Sequence, residues 1–222
     1  ETIKADVLFR TPGMHPGNPA IRELVAKGAA VTSEMEVFFD LCPCKIIAIT
    51  GSDGKTTTST LISELLKAEG YTVHLGGNIG TPLLCDVPNM NEKDIAVLEL
   101  SSFQLHSMDC HPNVAVITNI SPNHLDVHPS YEDYQLAKKS LFISQKENDR
   151  LVLNLDNEIT ASYAEEANSR VSFFSRSANV ENGCCIKDEA IFLNGEKIVD
   201  KADILLPGEH NVENYMAAIA AT

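Results

Sequence analysis

Hydrophobic positions follow two rhythms along the chain. Near the start, DVLFR at 6–10 reads as a short strand, and Thr11-Pro12-Gly13 as a turn. NPAIRELVAKG then has helical spacing, with Asn18 placed to cap, Pro19 at the first position and Gly28 at the end. AAVTSE follows as strand or loop. This is little more than one βα unit, so residues 1–43 read as the tail of a domain rather than a core of their own.

The rhythm changes at Lys45. KIIAIT is a continuous apolar, β-branched run, which predicts a strand buried on both faces. TTTSTLISELLKAEG has helical spacing through Leu61, Leu65 and Leu66, with Gly70 as its stop. YTVHL, IAVLEL, VAVITNI and RLVLNL read as further buried strands, and YEDYQLAKKSLFISQ as an amphipathic helix. Strands alternating with helices predict an α/β fold with a doubly wound, mostly parallel sheet. CCIKDEAIFLNGEKIV differs. Asn194-Gly195 between two short runs predicts a hairpin, hence a small antiparallel ribbon beside the main sheet. LLPGEHNVENYMAAIAAT starts a helix that reaches the last residue, which suggests a longer protein.

Composition narrows the function. The 222 residues suffice for one large domain or a domain plus part of another, and 44% hydrophobic content fills a core. The formal net charge of −14 repels phosphate backbones and anionic lipid, so neither nucleic acid nor membrane partners are expected. No run approaches the roughly 20 apolar residues of a membrane-spanning helix. The opening ETIKADVLF lacks a signal-peptide pattern, so a cytoplasmic location is expected. Cys42, Cys44, Cys85, Cys110, Cys184 and Cys185 lack paired zinc spacing and read as reduced thiols.

The strongest local signal is GSDGKTTT at 51–58, between a buried strand and a helix. A glycine turn there aims backbone N–H groups at phosphate, and the helix start adds the positive end of its dipole. Gly51, Ser52, Asp53, Gly54, Lys55, Thr56 and Thr57 are the candidate ATP-binding residues. Lys55 would reach the β- and γ-phosphates, and the Thr56 hydroxyl would bind Mg2+. Ile49 stands where the usual P-loop has its first glycine, so only the shorter GxxGK[ST] is met. Asp53 is tolerable only if its carboxylate points away from phosphate.

Three further residues are candidates by position. Glu99 ends an apolar strand, where ligands bind in open α/β sheets and where a magnesium ligand is needed; a carboxylate simply facing water is the alternative. His124 lies a few residues beyond the next strand, where a structural or solvated histidine is equally open. Helical phase puts Lys138 near the apolar face and Lys139 in solvent. On spacing alone, Lys138 reads as a lysine that snorkels to water.

Taken in order, GSDGKTTT, GGNIGTPL (76–83), LELSSFQL (98–105), NISPNHLDVH, YQLAKK and LPGEHNVENYMAA resemble the central domain of the Mur ligases. SSFQL and GNIGTPL resemble the branch that adds D-glutamate. TPGMHPGNPAI and SEMEVF resemble the end of that family's UDP-binding Rossmann-like domain, which usually has SPG rather than TPG. The resemblance implies residues 1–43 as that remnant, 44–222 as the ATP domain, and an amino-acid-binding C-terminal domain lying outside. It implies a ligase that uses ATP to join D-glutamate to UDP-N-acetylmuramoyl-L-alanine through an acyl phosphate, in peptidoglycan synthesis, as a monomer. Lys55, Glu99, His124 and Lys138 would be catalytic. Two Mg2+ ions are implied, one on Thr56 and Glu99, the other on His124 and a carbamylated Lys138. Asn78, Ser101 and Gln104 match positions near the muramoyl-alanine end, and His210, Asn211 and Asn214 the motif beside the nucleotide base. Rival readings are another Mur ligase, a folylpolyglutamate synthase-like enzyme, or a non-catalytic ATP-binding module. SSFQL argues against the first two, and the conjunction of Glu99, His124 and Lys138 against the third.

Overall fold

The computed structural model describes residues 4–106, 108–123 and 128–222. The first segment forms β1 (Val7–Phe9), α1 (Pro19–Ala26), β2 (Ala30–Thr32) and α2 (Glu34–Leu41). β1 and β2 pair in parallel. Asn18 caps α1 through the Ala20 N–H, with Pro19 in its first turn. Helix α2 was not anticipated; Ser33 caps it by accepting from Glu36 N–H, and it buries Met35 and Phe38.

The second segment runs β3 (Lys45–Thr50), α3 (Lys55–Ala68), β4 (Val73–Gly77), β5 (Ile95–Glu99), α4 (Ser102–Leu105), β6 (Val114–Ile117), α5 (Tyr131–Lys139), β7 (Arg150–Asn154), α6 (Glu158–Ser162), β8 (Arg170–Ser175), β9 (Gly183–Lys187), β10 (Ala190–Leu193), β11 (Glu196–Asp200) and α7 (Glu209–Ala221). The sheet order is β11-β10-β9-β8-β7-β6-β3-β5-β4. Pairing is parallel from β4 to β9 and antiparallel from β9 to β11. The antiparallel ribbon is therefore not beside the sheet but continuous with it, because β9 pairs with β8. Asn194 and Gly195 turn β10 into β11, both with positive φ.

Alternate residues of the apolar runs go to opposite faces. Ile46 and Ala48, Ala96 and Leu98, and Leu151 and Leu153 join one core with Phe38, Tyr134 and Phe142. Ile47 and Ile49, Val97, and Val152 join the other with Ile62, Leu66 and Met216. Two-sided burial is why these strands are apolar throughout rather than alternating. Helix α5 stops at Lys139 rather than near 145. Leu141 N–H donates to Lys138 O and Phe142 N–H to Lys139 O, a tighter turn in which both side chains are fully buried.

Arg10 fastens the first segment to the second. Its guanidinium is buried and donates to the carbonyls of Met14, Phe103, Gln104 and His106, at 2.9 Å for the last. The contacts to Phe103, Gln104 and His106 satisfy carbonyls in and just after α4, which is too short to hold its own shape. Among the described residues, no helix is long and apolar enough to cross a membrane, and all six cysteines are free.

Candidate active site

The strand order places β5 and β6 on either side of β3, so the loop after β3 opens at the point where the strand order reverses. Gly54, with φ +79°, is the N-cap of α3; no side chain caps this helix and no acidic residue lies in its first turn. The first N–H groups of α3 are therefore left for an anion. The loop is held from behind. Asp53 N–H donates to Asn119 Oδ1, while its carbonyl accepts from Thr118 Oγ1 (2.6 Å) and Asn119 Nδ2. Ser52 Oγ lies 2.9 Å from the Tyr134 hydroxyl. Asp53 itself is exposed.

The cavity over this loop, about 270 Å³, is lined by residues 52–57, Asn78 and Glu99. Lys55 Nζ donates to the carbonyls of Gly51 and Ser52 at 3.0 and 2.9 Å. Burial lowers its pKa, against the opposing pull of Glu99 and Asp53. Thr56 Oγ1 donates to Glu99 Oε2 at 2.6 Å. Cis ligands of octahedral Mg2+ stand about 3 Å apart, so this oxygen pair fits that ion with a small opening of the hydrogen bond. Asn78 donates its Nδ2 to Glu99 Oε1 (2.9 Å) and its N–H to the Glu99 carbonyl. It thus orients the carboxylate toward Thr56, a positioning function that its sequence context did not announce.

A second cavity of about 180 Å³ shares Lys55 and Asn78 with the first and adds Gly51, Ser101, Ser102, Phe103, Tyr134 and Lys138. Lys138 is only 1% exposed, so it does not snorkel. Its Nζ donates to Gly51 O (2.8 Å) and Thr50 Oγ1 and sits 4.7 Å over the Tyr134 ring. Burial, reinforced by the charge of Lys55, lowers its pKa to about 7. Lys139 pairs with Glu166 away from the cavity. Ser101 and Gln104 close a capping box at α4, with Gln104 Oε1 accepting from Ser101 N–H. Gln104 lines a neighbouring cavity with Arg10 rather than the one containing Ser101 and Asn78. His124 lies outside the described residues.

From α7, Asn214 reaches the loop: its Oδ1 accepts from Thr58 Oγ1 and its Nδ2 donates to Asn211. Asn211 closes the helix start by donating to the Pro207 carbonyl, and His210 is exposed beside them. A Cβ added to Gly54 would lie 2.3 Å from Asn214 Oδ1. Gly54→Ala is therefore expected to lose at least the ~1–2 kcal/mol of a left-handed non-glycine residue and to loosen α7 from the loop. Chemical denaturation measures this, and wild-type stability in the variant would contradict it. A further cavity, about 550 Å³, is at the other end of the strands, around Lys45, Ile95, Val114 and Arg150.

Fold and loop together define a P-loop-type α/β domain, with a second cavity adjoining the one over the loop. Residues 49–222 match the family described as the Mur ligase middle domain. The chain belongs to that family. It is 56% identical over 220 residues to UDP-N-acetylmuramoylalanine--D-glutamate ligase of Acetivibrio thermocellus, covering 97% of this chain and 47% of that protein. It is 55% identical to the protein of the same name from Ruminiclostridium cellulolyticum, covering 98% and 48%. The chain thus spans about half the length of the curated relatives it matches. A solved UDP-N-acetylmuramoyl-L-alanyl-D-glutamate--2,6-diaminopimelate ligase shares the fold, with TM-score 0.68 at 23% identity, over 98% of this chain and 59% of that one.

Proposed function

We propose that the complete protein is an ATP-dependent ligase joining D-glutamate to UDP-N-acetylmuramoyl-L-alanine in cytoplasmic peptidoglycan precursor synthesis. The observation that carries this reading is more than half identity, over nearly the whole chain, to relatives bearing that ligase name. Residues 1–43 are the end of the uridine-binding domain and 44–222 the ATP domain. The domain that grips the amino acid lies in the part of the protein beyond these residues. The complete protein acts as a monomer.

The two adjoining cavities suit the chemistry. A carboxylate is a poor electrophile, and transfer of the γ-phosphoryl group turns it into an acyl phosphate. Such transfer depends on positioning and charge neutralisation more than on covalent help. Residues 51–57 hold the phosphates, with the α3 N–H groups and Lys55 as donors. His210, Asn211 and Asn214 flank the nucleotide base. Asn78 and Ser101, which line the second cavity, serve the muramoyl-alanine end, and Gln104 acts there by fixing Ser101 through the capping box. Lys55, shared by both cavities, bridges donor and acceptor. Magnesium, held by Thr56 and Glu99, would supply the charge neutralisation that Lys55 alone cannot. A second ion would be held by His124 and by Lys138 as its carbamate. Lys138 suits carbamylation because a pKa of about 7 leaves a neutral amine at physiological pH.

The acceptor assignment is tested by offering the complete protein ATP, UDP-N-acetylmuramoyl-L-alanine and, in turn, D-glutamate, L-glutamate and meso-diaminopimelate. Product with D-glutamate alone is expected. Product with diaminopimelate instead would move the protein to another branch of the family.

A further inference from the structure

Ser102 lines the second cavity beside Lys55, Asn78 and Lys138, and the roles above leave it unused. Its Oγ lies 3.0 Å from His128 Nε2, and His128 Nδ1 lies 2.7 Å from Asp133 Oδ2. A carboxylate only accepts, so Nδ1 carries the imidazole proton. Nε2 is then a lone pair that accepts from the Ser102 hydroxyl. The three groups come from separate places: the start of α4, the segment before α5 and the first turn of α5. Both Ser102 and His128 are 3% exposed.

The surroundings favour an ionised Asp133. Burial pushes its pKa up, but hydrogen bonds from His106 and His128 outweigh burial and hold it below the usual carboxylate range. His106 Nε2 is 3.1 Å from both carboxylate oxygens and its ring packs edge-on against His128. His15 lies against His106 in turn, and Tyr134 meets the His128 ring edge-on. A hydroxyl, imidazole and carboxylate in this order pass a proton from whatever touches the hydroxyl to the imidazole. The reaction proposed above needs such an acceptor, since an amino acid arrives as its ammonium form and only the free amine attacks.

We propose that Ser102, His128 and Asp133 form the proton acceptor for the attacking ammonium group, an inference that rests on the ligase reading. Ser102 Oγ takes a proton from the ammonium as its own passes to His128 Nε2, with Asp133 holding the resulting imidazolium. The amine then forms the C–N bond at the acyl carbon, and the C–O bond to phosphate breaks. The departing phosphate takes the second amine proton, leaving as hydrogen phosphate. The proton on His128 returns to water as products leave.

The test uses the complete protein with ATP and UDP-N-acetylmuramoyl-L-alanine and compares two nucleophiles. One is D-glutamate, protonated at neutral pH; the other is hydroxylamine, which is not. His128→Gln should lower kcat with D-glutamate about 100-fold, with the loss shrinking as pH rises and the free amine becomes available. Hydroxamate formation should fall far less. Ser102→Ala, a smaller change, should show the same dependence on nucleophile and carries the test if His128→Gln misfolds. Equal losses with both nucleophiles at every pH would reduce the cluster to a structural role and overturn the proposal, as would full D-glutamate activity in either variant. A wild-type protein that makes product with neither nucleophile would instead overturn the ligase reading.

Discussion

Replacing Lys55 by alanine is expected to weaken magnesium-nucleotide binding on the order of 100-fold, the factor that ~3 kcal/mol for a contact to a charged group produces. Lys55 is the loop's cation, and its Nζ rests on the carbonyls of Gly51 and Ser52. Those bonds are weak competitors for a triphosphate, which offers charged oxygens to the same ammonium. The loop has its own reason to need this charge: Asp53 and Glu99 line the cavity in a chain of net charge −14. Helix α3 supplies N–H donors and only the partial charge of its dipole, so Lys55 contributes the one full positive charge among the cavity's described lining residues. Titration calorimetry on wild type and variant measures the change. Unchanged affinity in Lys55→Ala would remove the phosphate site from this loop.

The second large effect is expected at Lys138. Lys138→Ala should abolish ligation, and short carboxylic acids should restore part of it by supplying the carboxylate that the carbamate provides. Lys139→Ala should be nearly silent. The two side chains sit one residue apart but in opposite settings. Lys138 is enclosed beneath Gly51 and Tyr134, whereas Lys139 is tied to Glu166 at the surface. The sign of the pH effect follows from the lowered pKa. Carbamate forms from the neutral amine, so the fraction available falls as pH drops below about 7 and rises above it. Wild-type activity should therefore decline on the acid side, and added bicarbonate should offset part of the decline. A dead Lys139→Ala with an active Lys138→Ala would overturn the assignment.

What the sequence revealed were features whose cause is local. KIIAIT, IAVLE and VAVI are apolar on both phases because both faces are covered. Gly54, Lys55 and Thr56 announce a phosphate loop because backbone conformation, charge and hydroxyl must be adjacent there. Features set by distant partners were not legible. Arg10 looked like the end of a short strand, yet its partners around α4 lie more than ninety positions away. Asn119 and Tyr134 hold the phosphate loop across 66 and 82 positions. Strand β8 went unrecognised, because RVSFFS mixes partly buried positions with serine and lacks the uninterrupted apolar run of its neighbours. The turn at Asp188 and Glu189, both with positive φ, carries no glycine to mark it. For Lys138 the helical phase pointed inward correctly, but full enclosure depended on the loop and on Tyr134, which spacing does not describe.

The central claim is that the phosphate loop drives amide formation between two particular substrates, and phosphate release by the complete protein tests it most directly. With ATP and Mg2+ present, release should require UDP-N-acetylmuramoyl-L-alanine and D-glutamate together, and should stop when either is left out or when Lys55 is replaced by alanine. Steady phosphate release from ATP alone, indifferent to both substrates, would contradict the account and leave a nucleotide hydrolase or switch in its place.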